Sequence, residues 1–241
     1  MKNIHNITKI LFFVFVIAIA VVIIGAYAFK HNKPAGQPIL TANFIDLNKV
    51  EKISKYRSCQ GHTVVPQDES ESARSMKHYV VLKPEYTGGS KVEVYSPISG
   101  IVQSTRSQPD KGLEGEIWLG NKGSNWEVSI QHIVILDSIK EGQNIKAGEV
   151  VGHVANNGID VVYGVGAGNT KTIDGYESPY LNLDSPFNHI NESVLALYRS
   201  KGIAREDLIY SKEYRDQNPC KYRDKQGGLN DIDHPEDWVK I

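Results

Sequence analysis

The chain has 241 residues, 40% of them hydrophobic, and its 27 basic and 28 acidic side chains leave a formal net charge of −1. That balance excludes a basic stripe for nucleic acid, and the length suits one cored domain better than several. The first 33 residues carry Lys2, Lys9, Lys30, Lys33 and no acid, so the remaining 208 hold 23 basic and 28 acidic side chains, a mildly acidic surface.

Residues 1–9 read as a short leader. Ile10 to Phe29 then forms twenty uncharged, apolar residues with a single glycine, Gly25. At about 1.5 Å per residue such a run spans the roughly 30 Å hydrocarbon core of a bilayer, which predicts a transmembrane helix over 10–29. The flanking lysines are nearly balanced and do not orient it. A nine-residue leader before a large domain is the layout of a signal anchor that leaves the domain outside. Ala26-Tyr27-Ala28 offers the alternative, a signal peptide cut after Ala28, although an apolar run of this length exceeds the usual h-region. No Cys directly follows the run, which excludes a lipoprotein anchor. Both readings predict export, and the first predicts a single-pass protein of the cell membrane with its C-terminal domain extracytoplasmic.

Residues 30–50, with Pro34, Gly36 and Pro38, read as a stalk. Residues 51–184 then read as β-structure. Val92-Glu93-Val94-Tyr95 alternates, Ser96-Pro97 and Ser99-Gly100 punctuate, and Ile101-Val102 resumes. Glu116 to Leu119 and Trp126 to Ile130 are two further alternating runs, joined by hairpin chemistry over Gly120 to Gly123. Val150-Val151 and Val161-Val162 follow. From 185 to 241 a helical extension is expected, packed on the same domain. Ser185 is a good N-cap, Pro186 suits the first helical position and Gly202 a stop, with Phe187, Ile190, Val194, Leu195, Leu197 and Tyr198 forming the apolar stripe between. A second short helix is expected over Ser211 to Asp216, and the tail from Lys221 reads as loosely held.

Cys59 and Cys220 are the only cysteines. In an oxidising compartment they make a natural pair, and the absence of CxxC argues against redox catalysis; two buried free thiols are the alternative.

Two segments carry a family resemblance. They are VEVYSPISGIV (92–102) and IKEGQNIKAGEVVGHV (139–154), the second with Gly142 and Gly148 six residues apart. Lipoyl and biotinyl carrier domains use this turn-strand-turn arrangement, but no Met-Lys-Met or Asp-Lys-Ala hairpin lies between the segments. Over residues 78–166 the order strand, turn, hairpin, His132, Gly-spaced segment resembles the lysostaphin-type (LytM-like) zinc endopeptidases of peptidoglycan, with their duplicated hybrid motif. The resemblance implies a mainly β, barrel-sandwich hybrid fold. It also implies a zinc held by HxxxD and HxH, and an assisting His at the position of His132. Here Leu82 stands four residues after His78, and no HxH occurs. The family's metal set therefore does not carry over, and only His132 keeps a matching catalytic position.

Upstream lies a polar segment, RSCQGH (57–62) to SMKHY (75–79), that resembles a pattern in exported bacterial proteins of this fold and assigns no role. If it folds over the barrel mouth, His62, His78 and His132 with Asp160 would make a three-nitrogen, one-oxygen set suited to zinc. Arg74, Ser75 and Lys77 would instead bind a sugar or peptide through charge-assisted hydrogen bonds. Mutual satisfaction at the sheet edge is the plain alternative. No SxxK, GxSxG or phosphate loop is present. Trp118, Trp126 and Tyr95 offer either a sugar-stacking face or ordinary core.

The leading expectation is a membrane-anchored envelope domain, catalytically degenerate, that binds peptidoglycan or another envelope protein and needs no cofactor. An active zinc hydrolase with rearranged ligands and one zinc ion is the runner-up, and a structural scaffold the third.

Overall fold

The structure, a computed structural model, describes residues 36–241 except 72, 89–91, 109–113 and 230–233. The leader, the apolar run Ile10 to Phe29 and the start of the stalk lie outside the described residues. Among the described residues no helix is long and apolar enough to cross a membrane.

Eleven strands make one antiparallel sheet among the described residues. They are β1 (Val50–Ser54), β2 (His78–Leu82), β3 (Glu93–Tyr95), β4 (Gly100–Gln108), β5 (Glu114–Gly120), β6 (Trp126–Ile135), β7 (Asn144–Ile145), β8 (Val150–Val154), β9 (Gly158–Ile173), β10 (Tyr176–Asp184) and β11 (Trp238–Lys240). The spatial order is β11-β1-β2-β9-β6-β5-β4-β7, with β10 on β9 and β8 bridging β6 and β3. Two helices follow, α1 (Glu192–Arg199) and α2 (Lys212–Gln217). The molecule is thus mainly β, with the two C-terminal helices expected.

Alternation explains the strands. In β2 His78, Val80 and Leu82 are buried while Tyr79 and Val81 are half-exposed, because successive side chains point to opposite faces. Val128, Ile130, Val161, Ile117 and Leu119 line the same core, closed by Phe187, Val194, Leu195 and Tyr198. Gly142 and Gly148 both hold positive φ, +77° and +82°, at the two reversals expected of the Gly-spaced segment.

Three expectations are corrected. The stretch 40–50 is no stalk: Leu40, Phe44, Ile45 and Val50 are core residues at 1% exposure or less. The single helix after Ser185 is two pieces. Ser185 caps a short 3-10 turn, Pro186–His189, and Asn191 caps α1 by accepting from Val194 N–H. Leu40 forces the break by pairing its backbone with His189 and Asn191, which leaves Ile190 extended. Nor is the described part of the tail loose. β11 pairs with β1, and the buried Asp237 carboxylate accepts from Cys59 N–H and from Arg215 Nη2. Cys59 and Cys220 are joined, with Cα atoms 5.3 Å apart, which ties the tail to the segment after β1.

Candidate functional site

β6 and β9 run side by side, with Gln131 opposite Asp160, and β2 adds Tyr79 on the other side of Asp160. Cross-strand partners share a face, so Tyr79, Asp160 and Gln131 look the same way. Through Gln131 and Val162 that face borders a cleft of about 670 Å³, which residues of the β9–β10 hairpin also line. Into one end come Lys77 and His62.

The centre of this end is an ammonium. Lys77 Nζ donates to Asp160 Oδ2 at 2.5 Å and to His62 Nε2 at 3.1 Å. His132 Nε2 reaches the same Asp160 oxygen at 3.3 Å, while its Nδ1 donates to Glu114 Oε2 at 2.8 Å. Asn156 holds the other Glu114 oxygen. Tyr176 stacks on His62 with ring centroids 3.9 Å apart.

The protonation states follow from these contacts. Burial opposes charge on Lys77, but Asp160 beside it holds its pKa above the ordinary lysine value. Asp160 is buried too, yet Lys77 and the His132 hydrogen bond keep its carboxyl below the usual range. His132 is raised to about 9, first by its hydrogen bond to Asp160, so it is an imidazolium at neutral pH. His62 is lowered to about 3 by burial and by the Lys77 charge. A neutral His62 keeps a lone pair on Nε2 to accept from Lys77, with Nδ1 facing Thr63 O.

Local backbone positions these groups. His132 is the extra residue of a bulge: Glu116 pairs with Gln131 and Gly115 with Ile133, leaving His132 at φ 63°. A left-handed residue of this size costs about 1–3 kcal/mol, offset by its two carboxylate partners. Gly61, at φ +68°, turns the chain into His62, and a Cβ there would stand 2.0 Å from Tyr79 Oη.

Of the residues proposed from sequence as metal ligands, His62, His132 and Asp160 are brought together and His78 is not. Its position in β2 sends it to the opposite face, where Nδ1 lies 2.7 Å from Ser54 O and Nε2 2.9 Å from Ser185 Oγ. Desolvation lowers His78 to about 4, so it stays a neutral core histidine. The remaining three do not fit zinc, because the Lys77 ammonium already bonds His62 Nε2 and Asp160 Oδ2, and His132 is protonated between Asp160 and Glu114. Among the described residues no group of three or more His, Cys, Asp or Glu is arranged to hold a metal ion.

The proposed binding residues separate as well. Arg74 is buried in ion pairs with Glu71 at 2.7 Å and Asp216 at 2.6 Å, and Arg57 grips Glu71 from the other side. Ser75 is buried, its N–H donating to Ser58 O, while Arg74 and Met76 on either side of it bond Val64. Only Lys77 reaches the cleft. Of the three aromatics, Trp118 lines it beneath the Arg106 guanidinium at 5.7 Å, whereas Trp126 stacks near Tyr163 on the core side. Tyr95 donates to Glu93 at 2.7 Å and does not line the cleft. Sequence reasoning missed Glu114, Glu127, Tyr176 and Tyr180. Glu127 was within reach, because it shares the alternation parity of Ser129 and Gln131 in β6.

A scan against protein-family models matches none, and a search among curated proteins finds no match. Among solved structures the chain is similar to a chain of the SpoIIQ–SpoIIIAH pore-forming complex, at 14% identity and a TM-score of 0.40, over 68% of this chain and 99% of that one. At that score the likeness carries no argument about this chain.

Proposed function

We propose that this chain is a membrane-anchored, extracytoplasmic binding module. Its peptidase-type centre has been replaced by an ion-paired cluster, and its cleft holds a glycan-peptide ligand of the peptidoglycan class. The observation that carries the reading is Lys77. Its ammonium stands among His62, Asp160 and His132 at one end of a cleft large enough for a small ligand. A cluster so neutralised lacks a base free to activate water: His62 is committed to Lys77, and His132 is already protonated. What remains is a recognition surface of Trp118, Tyr176, Tyr180 and Gln131, which mixes aromatic faces with hydrogen-bonding groups.

The test is co-sedimentation of the purified full chain, in detergent, with insoluble peptidoglycan sacculi. Retention that Trp118→Ala weakens by about tenfold supports the reading. Equal retention of both proteins, or of neither, removes it. Elemental analysis of the same preparation after exposure to zinc is expected to find no stoichiometric metal; one zinc per chain would restore the hydrolase.

A further inference from the structure

The far end of the cleft holds a carboxyl for which the fold provides no partner. Glu127 lies on β6, where its cross-strand neighbours are both glycine, Gly120 on β5 and Gly164 on β9. A third glycine, Gly166, faces it so closely that a Cβ there would stand 3.2 Å from Glu127 Oε1. No side chain at these three positions can therefore bond the carboxyl or cover it. The cations that line the cleft are taken: Arg106 by Glu116 at 2.7 Å, and Lys77 by Asp160. Among the described residues Glu127 has neither a hydrogen bond nor an ion pair, and burial alone raises its pKa to about 7. A half-buried carboxyl kept without a partner is costly unless something else supplies one.

We infer that Glu127 anchors a primary ammonium group at the end of a flexible aliphatic chain, presented by the ligand of this cleft. Three observations set that chemistry. The carboxylate needs a donor, and a cation answers it with a charge-assisted bond. Gln103 fills the space over Gly120, and Tyr180 and Leu183 fill that over Gly164, so the carboxyl is approached past the exposed Gly166, a restricted path that suits a compact ammonium on a slender chain. Tyr180, opposite Gly166 on β10, and Trp118, on the Glu127 face of β5, supply ring surface for the aliphatic stem and the cation. The inference rests on the ligand-binding reading of the cleft and names the group that the ligand must carry.

The experiment uses the full chain in detergent and follows the Trp118 indole N–H resonance. The probes are Nα-acetyl-lysine amide, its Nε-acetylated form and Nα-acetyl-arginine amide, each at millimolar concentration. Saturable binding of the lysine probe is expected, at least about tenfold weaker for the Nε-acetylated form and in Glu127→Gln. Gly166→Leu, on an exposed strand position without positive φ, should block the probe and leave Glu127 itself intact. Equal binding of the acetylated and free amines, or an unchanged affinity in Glu127→Gln, overturns the inference. So does a preference for the arginine probe. Sacculi retained by wild type and Glu127→Gln alike, with no amine binding, would overturn the inference alone and leave the glycan-peptide reading standing. Glu127-dependent amine binding without any sacculus retention would support the inference and remove the peptidoglycan class.

Discussion

Two histidines of this chain are kept neutral by burial, and each ties fold stability to pH. His78 lies wholly in the core and is lowered to about 4; His62 is lowered to about 3. A base whose folded pKa is depressed contributes stability that is present above its unfolded pKa, near 6.5, and is lost as pH falls toward the folded value. For His78 the loss between pH 7 and pH 4 is on the order of 3 kcal/mol. His78→Gln is expected to flatten that part of the curve, although it costs some stability at pH 7 through the Ser54 and Ser185 contacts. Urea midpoints at pH 7 and 4.5 check this; identical pH slopes for the two proteins would remove the assignment. This residue was legible as special in the sequence but not as structural. Its strand and approximate position were readable, whereas its face depended on the register that pairs it with Val161.

At the scale of elements, strand and hairpin chemistry was largely legible because alternation is local. β5, its hairpin and β6 fall where the Glu116 to Ile130 pattern placed them. The helix after Ser185 was legible in composition and not in continuity, since the break comes from Leu40, some 150 residues upstream. Asn191 is therefore the cap that α1 depends on. Asn191→Ala is expected to lower stability by about 1 kcal/mol, read as a shift in urea midpoint, because Val194 N–H loses its acceptor. Ser185→Ala should act differently, since Ser185 Oγ bonds both the Phe187 N–H and the buried His78 ring. A variant at Asn191 with an unchanged midpoint would mean that tertiary contacts, not the cap, start this helix.

For the whole molecule the decisive link joins the two ends of the folded part. Cys59–Cys220 closes a loop of 161 residues, and beside it Arg215 bonds both Cys59 Sγ and the Asp237 carboxylate. Cys59→Ser with Cys220→Ser is expected to lower stability by about 2–4 kcal/mol, mainly by freeing the unfolded chain. Because β11 still pairs with β1, the doubly substituted protein should fold with the tail in place. Equal denaturation midpoints for the oxidised protein and the double variant would show that the Arg215–Asp237 contacts alone carry the closure.

What the sequence by itself determined was everything that repeats at short range. That comprises the apolar run long enough for a bilayer, the strand alternation, the glycine-spaced turns, and the motif order that resembles the lysostaphin-type domains without their metal set. What only the tertiary structure decided was which distant polar groups meet. His62, Lys77, His132 and Asp160 come from four separate places in the chain, and nothing local says that a lysine will stand among them or that His78 will turn away. The physical reason is that a strand residue faces one side or the other according to a register set by its partners. A one-residue difference in that register exchanges core for cleft.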